Sequence, residues 1–150
     1  NHLANLSLAP LPQTAAVGTL DGKTYNFAEN ALQIKSITLK QDAGMCRAVI
    51  QKDSGSYTLS FGSGKWEPGL TDLDGPGLLT GAKENVSFLR PYKVDGSYAW
   101  TDGNTIELKL RYIESPHSET FTCRFGNGKL NLKWEPSFAY GQRKVELQSE

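Results

Sequence analysis

Apolar and polar side chains alternate along most of this chain with a period of two. In "SITLK" the apolar positions are Ile37 and Leu39, and in "MCRAVIQ" one face carries Cys46, Ala48 and Ile50. Tyr57, Leu59 and Phe61 share a face in "YTLSF". "TIELKLRY" puts Ile106, Leu108, Leu110 and Tyr112 on one side and Glu107, Lys109 and Arg111 on the other. Phe121, Cys123 and Phe125 follow in "FTCRF", then Leu130, Leu132 and Trp134 in "LNLKW". Successive side chains of a strand point to opposite faces, so this pattern predicts strands with one dry and one wet face, as in antiparallel sheet.

Turn dipeptides separate or flank these runs: Asp21-Gly22, Ala43-Gly44, Ser54-Gly55, Asp95-Gly96, Asp102-Gly103 and Asn127-Gly128. Most suit short hairpin connections. No helical period of comparable length follows the first twenty residues. The expected fold is all-β, a single antiparallel up-and-down barrel, with a β-sandwich as the alternative. Closure into a barrel would also remove exposed edges.

Two segments break the rhythm. Residues 1–20 contain Pro10 and Pro12 and read as a linker or tail from an upstream domain, leaving 21–150 as the barrel. The chain opens on Asn1 rather than methionine, which fits a processed chain or a piece of a longer one. The second segment, Gly62 to Asn85, is rich in glycine. Trp66, Leu70, Leu73, Leu78 and Leu79 give it something to pack with, so it reads as an ordered excursion across one end or side of the sheet. "FGSGK" and "KWEP" each recur as "FGNGK" and "KWEP", at different offsets, which fits two similar hairpins better than a duplication.

Sixteen basic and sixteen acidic residues cancel, so the chain lacks the electrostatic term that carries non-specific nucleic-acid binding. No polybasic run faces anionic lipid, and no apolar run approaches the length of a membrane-spanning helix. Two cysteines and two histidines show no zinc-ligand spacing, and no cofactor is implied. Asp72, Asp74 and Glu67 meet only half of a calcium-loop pattern. The glycine-lysine pairs in "FGSGK" and "FGNGK" lack the spacing and following hydroxyl of a phosphate loop.

The most tempting chemistry is the run Glu114, Ser115, His117, Ser118 and Glu119. A nucleophile, base and orienter have to converge, whereas neighbours at a hairpin tip point apart. The run therefore reads as a tip with Pro116 at a turn position, and His117 and Glu114 remain candidates for touching a ligand or partner. Trp100 and Trp134 lie in alternating strands and are expected in the core. Trp66, in the excursion, is the third candidate contact residue. Cys46 and Cys123 fall on apolar faces and are expected to be free thiols, bonded only if their strands adjoin in an oxidising compartment.

Ala99, Trp100, Thr101, Asp102, Asn104 and Thr105, with Glu114, Pro116, Thr120 and Phe125 beyond them, resemble the C-terminal domain of bacterial serine hydrolases of the β-lactamase and penicillin-binding-protein type. The resemblance implies a lipocalin-like accessory barrel beside an upstream serine-hydrolase domain, in a periplasmic or secreted protein. It carries over no catalytic residue, because S-x-x-K and its partner motifs are absent from this chain. The expected role is thus non-catalytic, in domain packing, substrate access or oligomerisation. The alternative is a lipocalin-like carrier with a small apolar ligand in the barrel.

Overall fold

The computed structural model describes residues 9–12, 20–73, 91–113, 118–137 and 145–150. Ten strands form one sheet: β1 (Asp21–Asn26), β2 (Ile34–Asp42), β3 (Met45–Lys52), β4 (Gly55–Ser63), β5 (Glu67–Thr71), β6 (Tyr92–Asp102), β7 (Thr105–Tyr112), β8 (Ser118–Gly126), β9 (Lys129–Pro136) and β10 (Val145–Gln148). Their spatial order is β1-β2-β3-β4-β6-β7-β8-β9-β10, with β5 on β6 off this path. Apart from β5, each strand lies beside its sequence neighbour, and the pairings are antiparallel, as in an up-and-down sheet, except that β4 and β6 run parallel. One continuous sheet replaces the β-sandwich alternative.

The sheet curls until its ends meet. Glu150 N–H, just past β10, donates to Asn26 O at the end of β1 at 2.9 Å. Lys23 Nζ donates to Gly128 O at 3.0 Å, and the Tyr25 and Phe125 rings lie 5.7 Å apart. The concave face is apolar. Ile37, Leu39, Cys46, Ala48, Ile50, Leu59, Phe61, Ile106, Leu108, Leu110, Phe121, Cys123, Leu130 and Leu132 are all buried there. These are the apolar positions of the alternating runs, brought together because every strand presents the same parity inward. Leu108 faces Phe121 and Ile106 faces Cys123, so inward residues pair across β7 and β8.

The turns show which glycines do local work. Ala43-Gly44 (φ 46° and 80°) and Asn127-Gly128 (φ 53° and 75°) have both central residues left-handed, the turn that matches strand twist. Asp21-Gly22 is no turn but the start of β1, where the register to β2 shifts between Asp21 and Thr24. Asp95-Gly96 lies inside β6. Gly96 is needed there because a Cβ would overlap the Ser60 carbonyl of β4. Close strand crossing, not chain reversal, explains that glycine.

The excursion contributes β5, paired antiparallel with Tyr92–Gly96 of β6. That pairing has a consequence for the wall. β4 meets β6 only at Gly62–Ser97 and Ser63–Tyr98, whereas Gly55–Phe61 of β4 have ladder partners on β3 alone among the described residues. The sheet therefore has a seam between β4 and β6. On the outside, residues 9–12 reach β6: Leu11 N–H donates to Ser97 Oγ at 2.9 Å.

Candidate functional site

The barrel interior is the candidate site. Ile37, Leu39, Ala48, Ile50, Leu59, Phe61, Leu108, Phe121, Cys123 and Leu132 surround a cavity with about 10 Å³ of room for the centre of a water-sized sphere. That suffices for about one water, and the lining offers such a water no strong polar partner. Around this cavity the described side chains thus pack nearly as in an ordinary core. An alkyl ligand can enter this cavity only if side chains or the wall move.

The two ends differ. At one, Trp100 is buried as expected; its indole N–H donates to Gln41 Oε1 at 3.1 Å and its ring lies 6.3 Å from Phe125. With Tyr25 against Phe125, aromatic rings stopper this end. At the other, Tyr112 Oη donates to Leu73 O at 3.0 Å, and its ring meets Tyr92 edge-on. Tyr57 and Trp134 stand half-buried there, on the inward faces of β4 and β9.

Glu119 belongs to this second end. It sits on β8 two residues before the inward-facing Phe121, opposite Leu110 and Pro136, and is 4% exposed. Burial pushes its carboxyl pKa up to about 8; the Trp134 indole, donating to the carboxylate, and the positive charge of Lys52 oppose the rise. Lys52 shares the inward parity of Ile50 on β3. In the sequence, Glu119 looked like one more polar residue of the hairpin tip. The signal was available: Phe121, Cys123 and Phe125 face inward, and stepping back by two places Glu119 on the same face.

Of the three candidate contact residues, Trp66 alone lies among the described residues. Glu114 and His117 lie outside the described residues. Trp66 is half-buried outside the barrel wall, with the Arg111 guanidinium 4.6 Å above its ring. Arg111 in turn donates to Asp95 Oδ2 from Nε at 3.1 Å and from a terminal nitrogen at 2.7 Å. Trp66 therefore belongs to an external stack over β6 and β7, separate from the interior.

Cys46 and Cys123 are buried and free, both facing inward. Burial pushes the Cys46 thiol up to about 12, and raises Cys123 as well, with Cys46 adding to the effect. Thiols held protonated in this way are poor nucleophiles. No group of three metal-ligating side chains occurs among the described residues.

No protein-family model matches the sequence, and neither does any curated protein sequence. Solved structures do match in fold. The chain is similar to a fatty-acid-binding protein from Manduca sexta, with a TM-score of 0.54 and 14% identity over 86% of this chain and 97% of the other. It is also similar to a fatty-acid-binding protein from brain tissue of Drosophila melanogaster, with a TM-score of 0.55 and 10% identity over 88% and 100%. At such identities the likeness establishes the all-β barrel fold. It overturns the kinship with β-lactamase and penicillin-binding-protein accessory domains, because the matching barrels are fatty-acid-binding proteins and no family model supports the hydrolase motifs. The upstream serine-hydrolase partner and the periplasmic or secreted placement rested on that resemblance alone and fall with it. The residues quoted for it have a local explanation. Asp102 Oδ1 accepts from Asn104 N–H at 2.8 Å, so the Asp-Gly-Asn-Thr stretch is a side-chain-stabilised turn that any tight hairpin can use.

Proposed function

We propose that this protein is a non-catalytic carrier that takes a small apolar ligand into the barrel interior. The observation that supports it most is the wholly apolar lining of the cavity, enclosed by a sheet whose ladder is interrupted on one side. The fold shared with two fatty-acid-binding proteins points the same way. The small cavity adds a condition. The state that accepts ligand is an expanded one, opened where β4 and β6 share two paired residues. Parting a short ladder costs little compared with breaking the full ladder between β3 and β4. The observed affinity is then the intrinsic affinity reduced by the fraction of molecules in the open state.

The test is competition between an environment-sensitive apolar fluorophore and alkyl ligands, on the whole chain. Saturable, one-to-one uptake is expected, weakened at least tenfold by Ala48→Leu, which fills the lining. Trp66→Ala, on the outer wall, should leave it unchanged. Absence of uptake, or uptake indifferent to Ala48→Leu, would refute the interior as the site.

A further inference from the structure

If a ligand enters the barrel, its polar end has to be accommodated by the groups that face inward. Among the described residues, Arg47, Arg111 and Arg124 alternate with buried positions and point outward. Arg111 is engaged by Asp95. The charged groups that face inward at this end are instead a buried acid, Glu119, one inward position beyond the cavity-lining Phe121, and the half-buried Lys52, which shares the inward parity of Ile50. Among the described residues, Leu110 and Pro136 lie directly opposite Glu119, the Trp134 indole donates to it, and the positive charge of Lys52 acts on it. A carboxyl group has about four lone-pair sites, and one indole N–H uses one of them.

We propose that Glu119 reads the polar end of the ligand, and that the barrel selects an apolar molecule ending in a hydrogen-bond donor such as an alcohol, not one ending in a free carboxylate. The proposal rests on the carrier reading and specifies its ligand class. A hydroxyl head donates to a remaining Glu119 oxygen and accepts from the carboxyl proton when that is present. A carboxylate head brings a second acceptor to a site that already holds one. The two acids can then share at most one proton, and among the described residues the negative charge left over is offset by the half-buried Lys52, an ion pair that has to be desolvated in an otherwise apolar end and so costs more than a neutral hydrogen bond. An amine head could donate, but it leaves an ion pair to be desolvated in the same apolar end, which costs more than the neutral hydrogen bond. The site is therefore complementary to a different head group from that of the fatty acids after which the two matching proteins are named.

The experiment compares octanol, octanoate and octylamine, which share one chain length, for displacement of the apolar fluorophore from the whole protein at neutral pH. Octanol is expected to bind at least tenfold more tightly than octanoate, with octylamine between them. Glu119→Leu should erase the preference. Glu119→Gln keeps an acceptor for Trp134 and adds amide donors, so it should retain octanol and improve octanoate several-fold. This second variant decides the matter if Glu119→Leu fails to fold. Equal binding of octanol and octanoate by the native protein, or a preference that survives both substitutions, would overturn the role of Glu119 and leave the carrier reading standing. Failure of all three ligands and of the fluorophore to bind would overturn both.

Discussion

Replacing Glu119 by glutamine should stabilise the protein, and the gain should depend on pH. The carboxyl is buried, and its pKa rises from the ordinary 4.5 to about 8. An acid whose folded-state pKa lies above its unfolded value holds its proton more tightly when folded. Between those two values the folded state binds the proton that the unfolded state has released, so unfolding free energy falls as pH rises through this window. Below it both states are protonated, and above it both are ionised, so the loss is flat at either side. At ~1.4 kcal/mol per pH unit, the window from 4.5 to about 8 sets a ceiling of roughly 4–5 kcal/mol. Water penetration and side-chain relaxation reduce this, so about 2 kcal/mol or more is the expected change. Glutamine is nearly isosteric, stays neutral and still accepts from Trp134. Lys52, Tyr57 and Tyr112 at the same end are common to both proteins, so the difference isolates Glu119. Urea unfolding of both proteins, monitored by tryptophan fluorescence at about pH 5, 7 and 9, measures it. The variant should gain most at the highest pH and little at the lowest. A difference that does not change with pH would refute the buried, inward placement of this carboxyl.

Phe121→Ala removes a buried ring from the cavity lining and should cost about 3–5 kcal/mol, while raising affinity for the apolar fluorophore because the space no longer has to be opened; denaturation and titration on the same sample check both. Gly96→Ala should destabilise by at least ~2 kcal/mol in thermal unfolding, because its methyl meets the Ser60 carbonyl, whereas Gly103→Ala, with open space around it, should change stability by less than ~1 kcal/mol. Cys46 and Cys123 should resist iodoacetamide in the native protein near neutral pH and both react after denaturation, read by mass spectrometry. Arg111→Ala removes the cation over Trp66 and the partner of Asp95, and should cost about 1–3 kcal/mol in urea unfolding with unchanged fluorophore affinity.

The barrel was legible because its code is local. Period-two alternation sets which side of each strand is dry, and tight turns such as Ala43-Gly44 and Asn127-Gly128 need left-handed backbone that only a few residue types tolerate. Neither requires knowledge of the rest of the chain. The same reading misplaced Asp95-Gly96, since a glycine kept for a turn and one kept for a strand crossing look alike in sequence. The hydrolase resemblance failed for a related reason: a short turn such as Asp102–Thr105 recurs wherever a hairpin needs it, and so carries little information about descent.

By itself, then, the sequence determined the strands, their inward faces and the concentration of apolar side chains on one side of the sheet, because those follow from backbone geometry within a few residues. Only the tertiary structure decided what the enclosed space is. Whether inward side chains from separate strands leave room for a ligand depends on the curvature of the whole sheet, which brings Ile37, Leu59, Phe121 and Leu132 within reach of one cavity. The seam depends on β5 taking the part of β6 that β4 would otherwise pair with. Glu119 became distinct from its polar neighbours only once Leu110, Pro136 and Trp134 closed around it, because burial is a property of everything that surrounds a group and not of the group's own place in the chain.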